Sequence, residues 1–201
     1  MRVKPSPGFS IVELLVTVAV IGILGGIVIP TGITAYRIQR VNAVVTDLAG
    51  WLDEVRASAD TNNISCRVSI TSSASLRSQD IVATATAITP GTTTAASGVV
   101  CGSGNPMRLP GVGGSSTYSV ATSFSNNLFY FTQRGAISTD NTAGLAKSSG
   151  TTDANLSIRI SADGQPPMRC IRLTGMLGLV RLGLNSTTGA TSSDCTTWGA
   201  L

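Results

Sequence analysis

The sequence predicts an α+β fold, a long amino-terminal helix packed on an antiparallel β-sheet or sandwich head. Three observations predict it. Residues 9–29 are apolar apart from Glu13, and no further charge follows until Arg37. Beyond Pro30, Ile38, Val41, Val45, Leu48, Leu52, Val55 and Ala59 recur at alternating intervals of three and four, which is one helical stripe. From Ser65 the period shortens toward two, with β-branched residues separated by Gly, Ser, Thr and Asn.

The first element is a short basic leader, residues 1–8, carrying Arg2 and Lys4 and ending at Gly8. Twenty-one apolar residues follow, and at about 1.5 Å each they cover roughly 30 Å, the hydrocarbon thickness of a bilayer. An ordinary secretory signal has its small-residue cleavage site after the apolar run, and here the candidate site precedes it. Cleavage between Gly8 and Phe9 leaves the apolar helix on the mature protein, with a new amino terminus at the membrane edge and Glu13 about one turn inside. A carboxylate buried there costs about 2.5–3.5 kcal/mol on an insertion scale, so it asks for a partner. The plainer reading is a signal anchor whose Glu13 snorkels toward headgroups.

The helix is expected over residues 9–63, with a membrane or filament-core half at 9–30 and an amphipathic half at 31–63; residues 64–201 form the head. Gly22, Gly25, Gly26, Pro30 and Gly32 are weak helix formers, four glycines and one proline that sum to about 7 kcal/mol against helix in water. Lipid tolerates them because it offers backbone groups no other partner. Outside lipid, Gly22 to Pro30 is the stretch that unwinds most easily. Gly22-x-x-x-Gly26 equally reads as a close-packing face between helices. Arg37, Arg40, Asp47, Asp53, Glu54 and Asp60 occupy the polar faces of the second half, and Asn62-Asn63 supply a stop. Strands are expected at Cys66–Ile70, Ile81–Ile88, Gly98–Cys101, Thr117–Thr122, Leu128–Thr132, Ser157–Ser161, Arg169–Leu173 and Leu179–Leu182, the last two joined through Thr174 to Gly178 as a hairpin. Low-complexity loops are expected at Thr89–Ser97, Gly111–Ser116 and Ser138–Thr152.

Charge is unevenly placed. Residues 9–63 hold three arginines against five acids, a net of −2, and residues 64–201 hold nine basic residues against five aspartates, a net of +4. An excess of that size is ordinarily a solvated surface. Cys66, Cys101, Cys170 and Cys195 are an even number without a C-x-x-C pair, in a domain that the anchor places outside the cytoplasm, so two disulfides are expected. Three connectivities exist; the preferred one joins Cys170 to Cys195, closing the Gly/Ser/Thr-rich tail, and Cys66 to Cys101. The chain has no histidine. Zinc binding and Ser-His-Asp or Cys-His catalysis are therefore not expected, and no Asp-rich calcium loop is seen, so no metal, cofactor or enzymatic activity is predicted. Asn-x-Ser/Thr triplets at Asn63, Asn155 and Asn185 are read as loop composition.

The segment Gly8-Phe9-Ser10-Ile11-Val12-Glu13-Leu14-Leu15-Val16 resembles the class III signal of type IV pilins and pseudopilins. The resemblance implies a pilin-like fold, cleavage after Gly8 by a prepilin peptidase, methylation of Phe9, and a contact between Glu13 and the terminal amine of a neighbouring subunit. It also implies a helix break at Pro30, where family filaments loosen. Leu52-Asp53-Glu54-Val55-Arg56-Ala57-Ser58-Ala59 with Cys66-Arg67-Val68-Ser69-Ile70 is similar to the helix end and first strand of the FimT/FimU minor pilins and of the secretion pseudopilin GspH. Phe129-Tyr130-Phe131-Thr132-Gln133-Arg134-Gly135 resembles their Phe-x-Pro-x-Gly strand end, with Gln133 in place of proline. Arg169 to Gly175 and Gly178 to Arg181 resemble their terminal hairpin. The implied function is a minor pilin of a type IV pilus, priming or capping the filament tip, with a type II secretion pseudopilin as the alternative. The implied partners are other pilin or pseudopilin subunits, the prepilin peptidase and the bacterial inner membrane, from which the head projects into the periplasm before joining a pilus or pseudopilus.

A DNA-binding role is the reading from another class. Some FimT-type minor pilins bind DNA through Gly-Arg-x-Arg, and the matching stretch Gly178-Leu179-Val180-Arg181 lacks the first arginine, so a plain strand is the favoured reading. Arg159, Arg169, Arg172 and Arg181 are the candidate DNA-contacting residues, with Arg172 and Arg181 placed to share a hairpin face. Phe124 and Phe129-Tyr130-Phe131 are read as core in preference to a base-stacking platform.

Overall fold

The computed structural model describes residues 8–88, 95–96, 98–111, 117–139, 156–174, 178–187, 189 and 194–199, with side chains at all of these except 26–33 and 125. Among them one helix, α1 (Ile11–Thr61), is followed by β1 (Ser65–Ile70), β2 (Ser73–Leu76), β3 (Ile81–Ile88), β4 (Met107–Arg108), β5 (Tyr118–Thr122), β6 (Leu128–Phe131), β7 (Ile137–Ser138), β8 (Leu156–Ala162), β9 (Gln165–Thr174), β10 (Leu179–Asn185) and β11 (Thr197–Trp198). The strands form two antiparallel sheets, in the orders β4-β3-β1-β6-β7 and β11-β10-β9-β8-β5-β2. The fold is therefore α+β, with one amino-terminal helix and two sheets, an arrangement compatible with a pilin-like fold.

The chain divides into two compact units, Met1–Ile38 and Gln39–Leu201. In the first, helix hydrogen bonding begins with the Leu14 amide donating to the Ser10 carbonyl at 3.2 Å. The Thr17 hydroxyl turns back onto the Leu14 carbonyl at 2.9 Å, so this polar group is satisfied within the helix. Among the described residues no helix is long and apolar enough to cross a membrane.

In the second unit, Val41, Val44, Val45, Leu48, Leu52, Val55 and Ala59 of α1 are buried in one core with Val68, Phe129, Phe131, Ile158, Ile160, Ile171 and Leu173 from both sheets. The stripe read from the sequence is this face, because residues three and four apart stack on one side of a helix. The helix ends on the Asn pair. Asn63 takes φ 51°, its amide donates to Asp60 and the Ile64 amide donates to Ala59, which closes the last carbonyls in a Schellman arrangement. Ile64, buried, then carries the chain into β1.

β1 lies between β3 and β6, with Val68 opposite Ala85 on one side and Phe129 on the other. Phe124, Phe129 and Phe131 meet edge to face at centroid separations of 5.6 and 5.4 Å, so the aromatic string is core packing. Cys66–Cys101 and Cys170–Cys195 form the two disulfides, each with Cα atoms 6.0 Å apart. Residues 98–101, expected as a strand, instead form a turn. The Cys66 bond holds this turn against α1, where Ser58 Oγ donates to the Val100 carbonyl at 3.4 Å and Trp51 Nε1 to the Asn105 carbonyl at 3.1 Å. The expected loops at 89–97, 111–116 and 138–152, and residues 175–177 of the hairpin connection, lie almost wholly outside the described residues.

Candidate functional site

The helix start is the first candidate. Among the described residues, its chain neighbours aside, no heavy atom stands within 4 Å of where a side chain on Gly8 would begin, and Phe9 is 78% exposed, so the Gly8–Phe9 bond is open there. Glu13 is exposed in the first turn of α1, where the unpaired amides of a helix start favour an acid. Around it Ile11, Val12, Leu14, Leu15, Val16, Val18, Val20, Ile21, Ile23 and Leu24 are also exposed. A contiguous apolar surface of this kind marks an interaction site for lipid or protein, and one acid at its tip gives it a polarity. Pro30 lies within the helical run of α1.

The arginines divide between the two faces of the second sheet. Arg172 and Arg181 stand directly opposite each other across β9 and β10, and Ser157 of β8 stands opposite Arg172 on its other side. Arg159 pairs with Cys170, so alternation places Arg159, Cys170, Arg172 and Arg181 on one face. Arg169 pairs with Ile160 and Leu184 and belongs to the other face. There it is buried, its Nε donating to Asn42 Oδ1 of α1 at 2.7 Å, and loss of solvation lowers its pKa.

A strap formed by residues 194–199 crosses the first of these faces. Cys195 bonds to Cys170 and packs with Met168 and Trp198 in a small apolar cluster. The Arg172 guanidinium carbon lies 3.6 Å from the centre of the Trp198 ring system, a cation–π stack, and its Nε is buried with no hydrogen-bond partner among the described residues. Ser157 Oγ donates to Asp194 Oδ1 at 2.6 Å, and Asn185 Nδ2 donates to the Asp194 carbonyl at 3.2 Å. Gly183 is required beneath the strap, since a Cβ there would stand 2.7 Å from the Trp198 ring. Arg159 Nη2 donates to the Thr122 carbonyl at 3.3 Å. Arg181 is thus the exposed member of the face, and Arg172 is covered.

At the far end of α1, Arg56 Nε donates to the Gly135 carbonyl at 3.1 Å, fixing the turn after β6. Gly135 has φ 67° there, a conformation that favours glycine, which accounts for glycine at the close of the Phe129 to Gly135 string. A cleft of about 340 Å³ beside it is lined by Asp53, Arg56, Ala57, Asp60, Arg134 and Gly135. Among the described residues no group of Cys, Asp and Glu is placed to hold a metal ion.

Sequence reasoning placed Arg172 with Arg181 but did not separate Arg169 from them. The signal was available, because residues 169 and 172 of one strand differ by an odd number and must point oppositely. Trp198 carried no such signal; its place depends on a disulfide spanning 25 residues.

Comparison with known families finds the prokaryotic N-terminal methylation motif at residues 4–29. No curated protein and no solved structure matches the chain. The motif spans the open Gly8–Phe9 bond and Glu13, and it implies prepilin peptidase processing and assembly with other pilin subunits. It supports reading the chain as a type IV pilin-like or pseudopilin subunit.

Proposed function

We propose that the chain is a minor pilin of the FimT/FimU and GspH kind, a structural subunit without enzymatic activity that primes or caps the tip of a type IV pilus. The observation that carries this reading is the exposed apolar start of α1 with a single acid in its first turn. After cleavage at Gly8, residues 9–30 anchor the precursor in the inner membrane and the head stands in the periplasm. A subunit joining the filament brings its N-methylated Phe9 amine to the Glu13 carboxylate of a resident neighbour. In a medium without water each charge is costly alone, so the contact couples incorporation to axial register. The Gly22 to Pro30 stretch loosens once it leaves lipid.

Glu13→Ala is expected to abolish or strongly reduce recovery in sheared filaments while the head keeps both disulfides and its melting temperature. Normal recovery of that variant would remove the mechanism. The same physical logic serves a type II secretion pseudopilin, and loss of secretion rather than of pili in a deletion strain would assign the chain there. A DNA-binding role draws support from Arg159, Arg172 and Arg181 sharing a face, and is opposed by the strap stacked on Arg172. Retention of duplex DNA at low salt, lost at moderate salt, would support it; no retention at either would dispose of it.

A further inference from the structure

We propose that residues 194–199 are a disulfide-latched cover for the outer edge of β10, and that opening the Cys170–Cys195 bond frees this edge to pair with the β10 of a second copy. An edge strand presents unpaired amides and carbonyls, and β10, seven residues long, has only the two-residue β11 between it and the margin of its sheet. The strap covers part of that margin. Gly183 pairs with Trp198 and Leu184 with Thr197, the Gly199 amide donates to the Leu182 carbonyl at 2.9 Å, and Thr196 Oγ1 donates to the Leu184 carbonyl at 3.4 Å. These bonds show that the edge accepts an antiparallel partner.

Two residues of β11 make a weak strand by themselves, and the strap is kept in place by what flanks it. The Cys195 disulfide anchors one end, the Trp198 indole on Arg172 and over Gly183 the other. A dithiol reductant opens the latch: it gives two electrons and two protons to the Cys170–Cys195 sulfurs, which become two thiols, and itself closes to a disulfide. The strap is then held only by its non-covalent contacts, the bonds of Asp194 to Ser157 and Asn185, the Trp198 stack on Arg172 and the two-residue pairing with β10.

The occupant fits by its own sequence. Antiparallel pairing of β10 with another β10 about Leu182 sets Val180 against Leu184 and Arg181 against Gly183, so the two arginines do not face each other. Each Arg181 then lies beside the glycine that Trp198 has vacated. Because the strand is its own partner, the contact is two-fold and closes as a dimer.

The test uses the full chain in nonionic detergent micelles, comparing it with the Cys170→Ser/Cys195→Ser variant by native mass spectrometry and amide hydrogen exchange. In the variant the dimer fraction rises at least tenfold, the Trp198 and Gly199 amides exchange faster, and those of Val180, Leu182 and Leu184 exchange more slowly as dimer forms. The wild-type protein treated with a dithiol behaves as the variant does and reverts on reoxidation. Trp198→Ala, which keeps both disulfides, raises the dimer fraction at least threefold. Should the serine variant not fold, the reduced wild-type protein and Trp198→Ala decide. An unchanged dimer fraction in these two overturns the proposal, as does association that leaves the Leu182 and Leu184 amides unprotected.

Discussion

Arg169 sits on the core side of β9 with its Nε held by Asn42, 127 residues earlier in the chain. Burial disfavours its charged form and lowers its pKa below the usual arginine value. The sign follows from proton binding: a cation whose folded pKa lies below its unfolded one costs stability at every pH beneath the folded value, and the cost fades only as pH rises from the folded toward the unfolded value. Across the neutral range the cost is constant, and the hydrogen bond that Arg169 Nε donates to Asn42 Oδ1 offsets it. Asn42→Ala is expected to lower head stability by about 1–2 kcal/mol, since a hydrogen bond to a charged group is worth about 1.5–3 and alanine returns about half a kcal/mol in helix propensity. Urea unfolding measures this, and an unchanged midpoint would show that the bond contributes nothing. Gly178 makes the sharper prediction. A Cβ there would stand 2.2 Å from the Gly135 carbonyl oxygen, at a φ of 58° that disfavours any side chain. Gly178→Ala should therefore destabilise the head by about 1–3 kcal/mol, through overpacking of one turn against another.

At the level of elements, the amphipathic half of α1 does most to organise the head, because its stripe meets both sheets. Leu52 is fully buried in that contact, and Leu52→Ala should cost about 2–5 kcal/mol by removing buried area and leaving a cavity. Thermal melting of the variant checks the figure, and a loss below 1 kcal/mol would mean that the helix packs loosely there. This element was legible from sequence because seven apolar residues kept one helical period without interruption. The longer strands, β1, β3, β5, β6, β8, β9 and β10, were legible too, through runs of Val, Ile, Leu and aromatic residues. β2, β4, β7 and β11 were not. They are two to four residues long, and Ser73 to Leu76 or Thr197-Trp198 carry no alternation that a turn would lack. Their pairing is decided by the neighbouring strand, which is a tertiary fact. The turn at residues 98–101 misled in the opposite direction, since Val99, Val100 and Cys101 have strand propensity but are committed to a disulfide against α1.

For the whole molecule, the motif at residues 4–29 and the exposed apolar start of α1 point to a chain that acts by being assembled. The methylation motif at residues 4–29 was legible from nine consecutive residues because their order is unusual. The face of the head that Trp198 covers was not, since it exists only after the tail is folded across β9 and β10. The central claim is that the mature protein keeps its apolar helix and loses only its leader. Mass spectrometry of the amino terminus of the protein recovered from assembled filaments tests this most directly. The expected first residue is N-methylated Phe9, followed by the unbroken apolar helix; a terminus at Met1, or one beyond residue 29, would contradict the account.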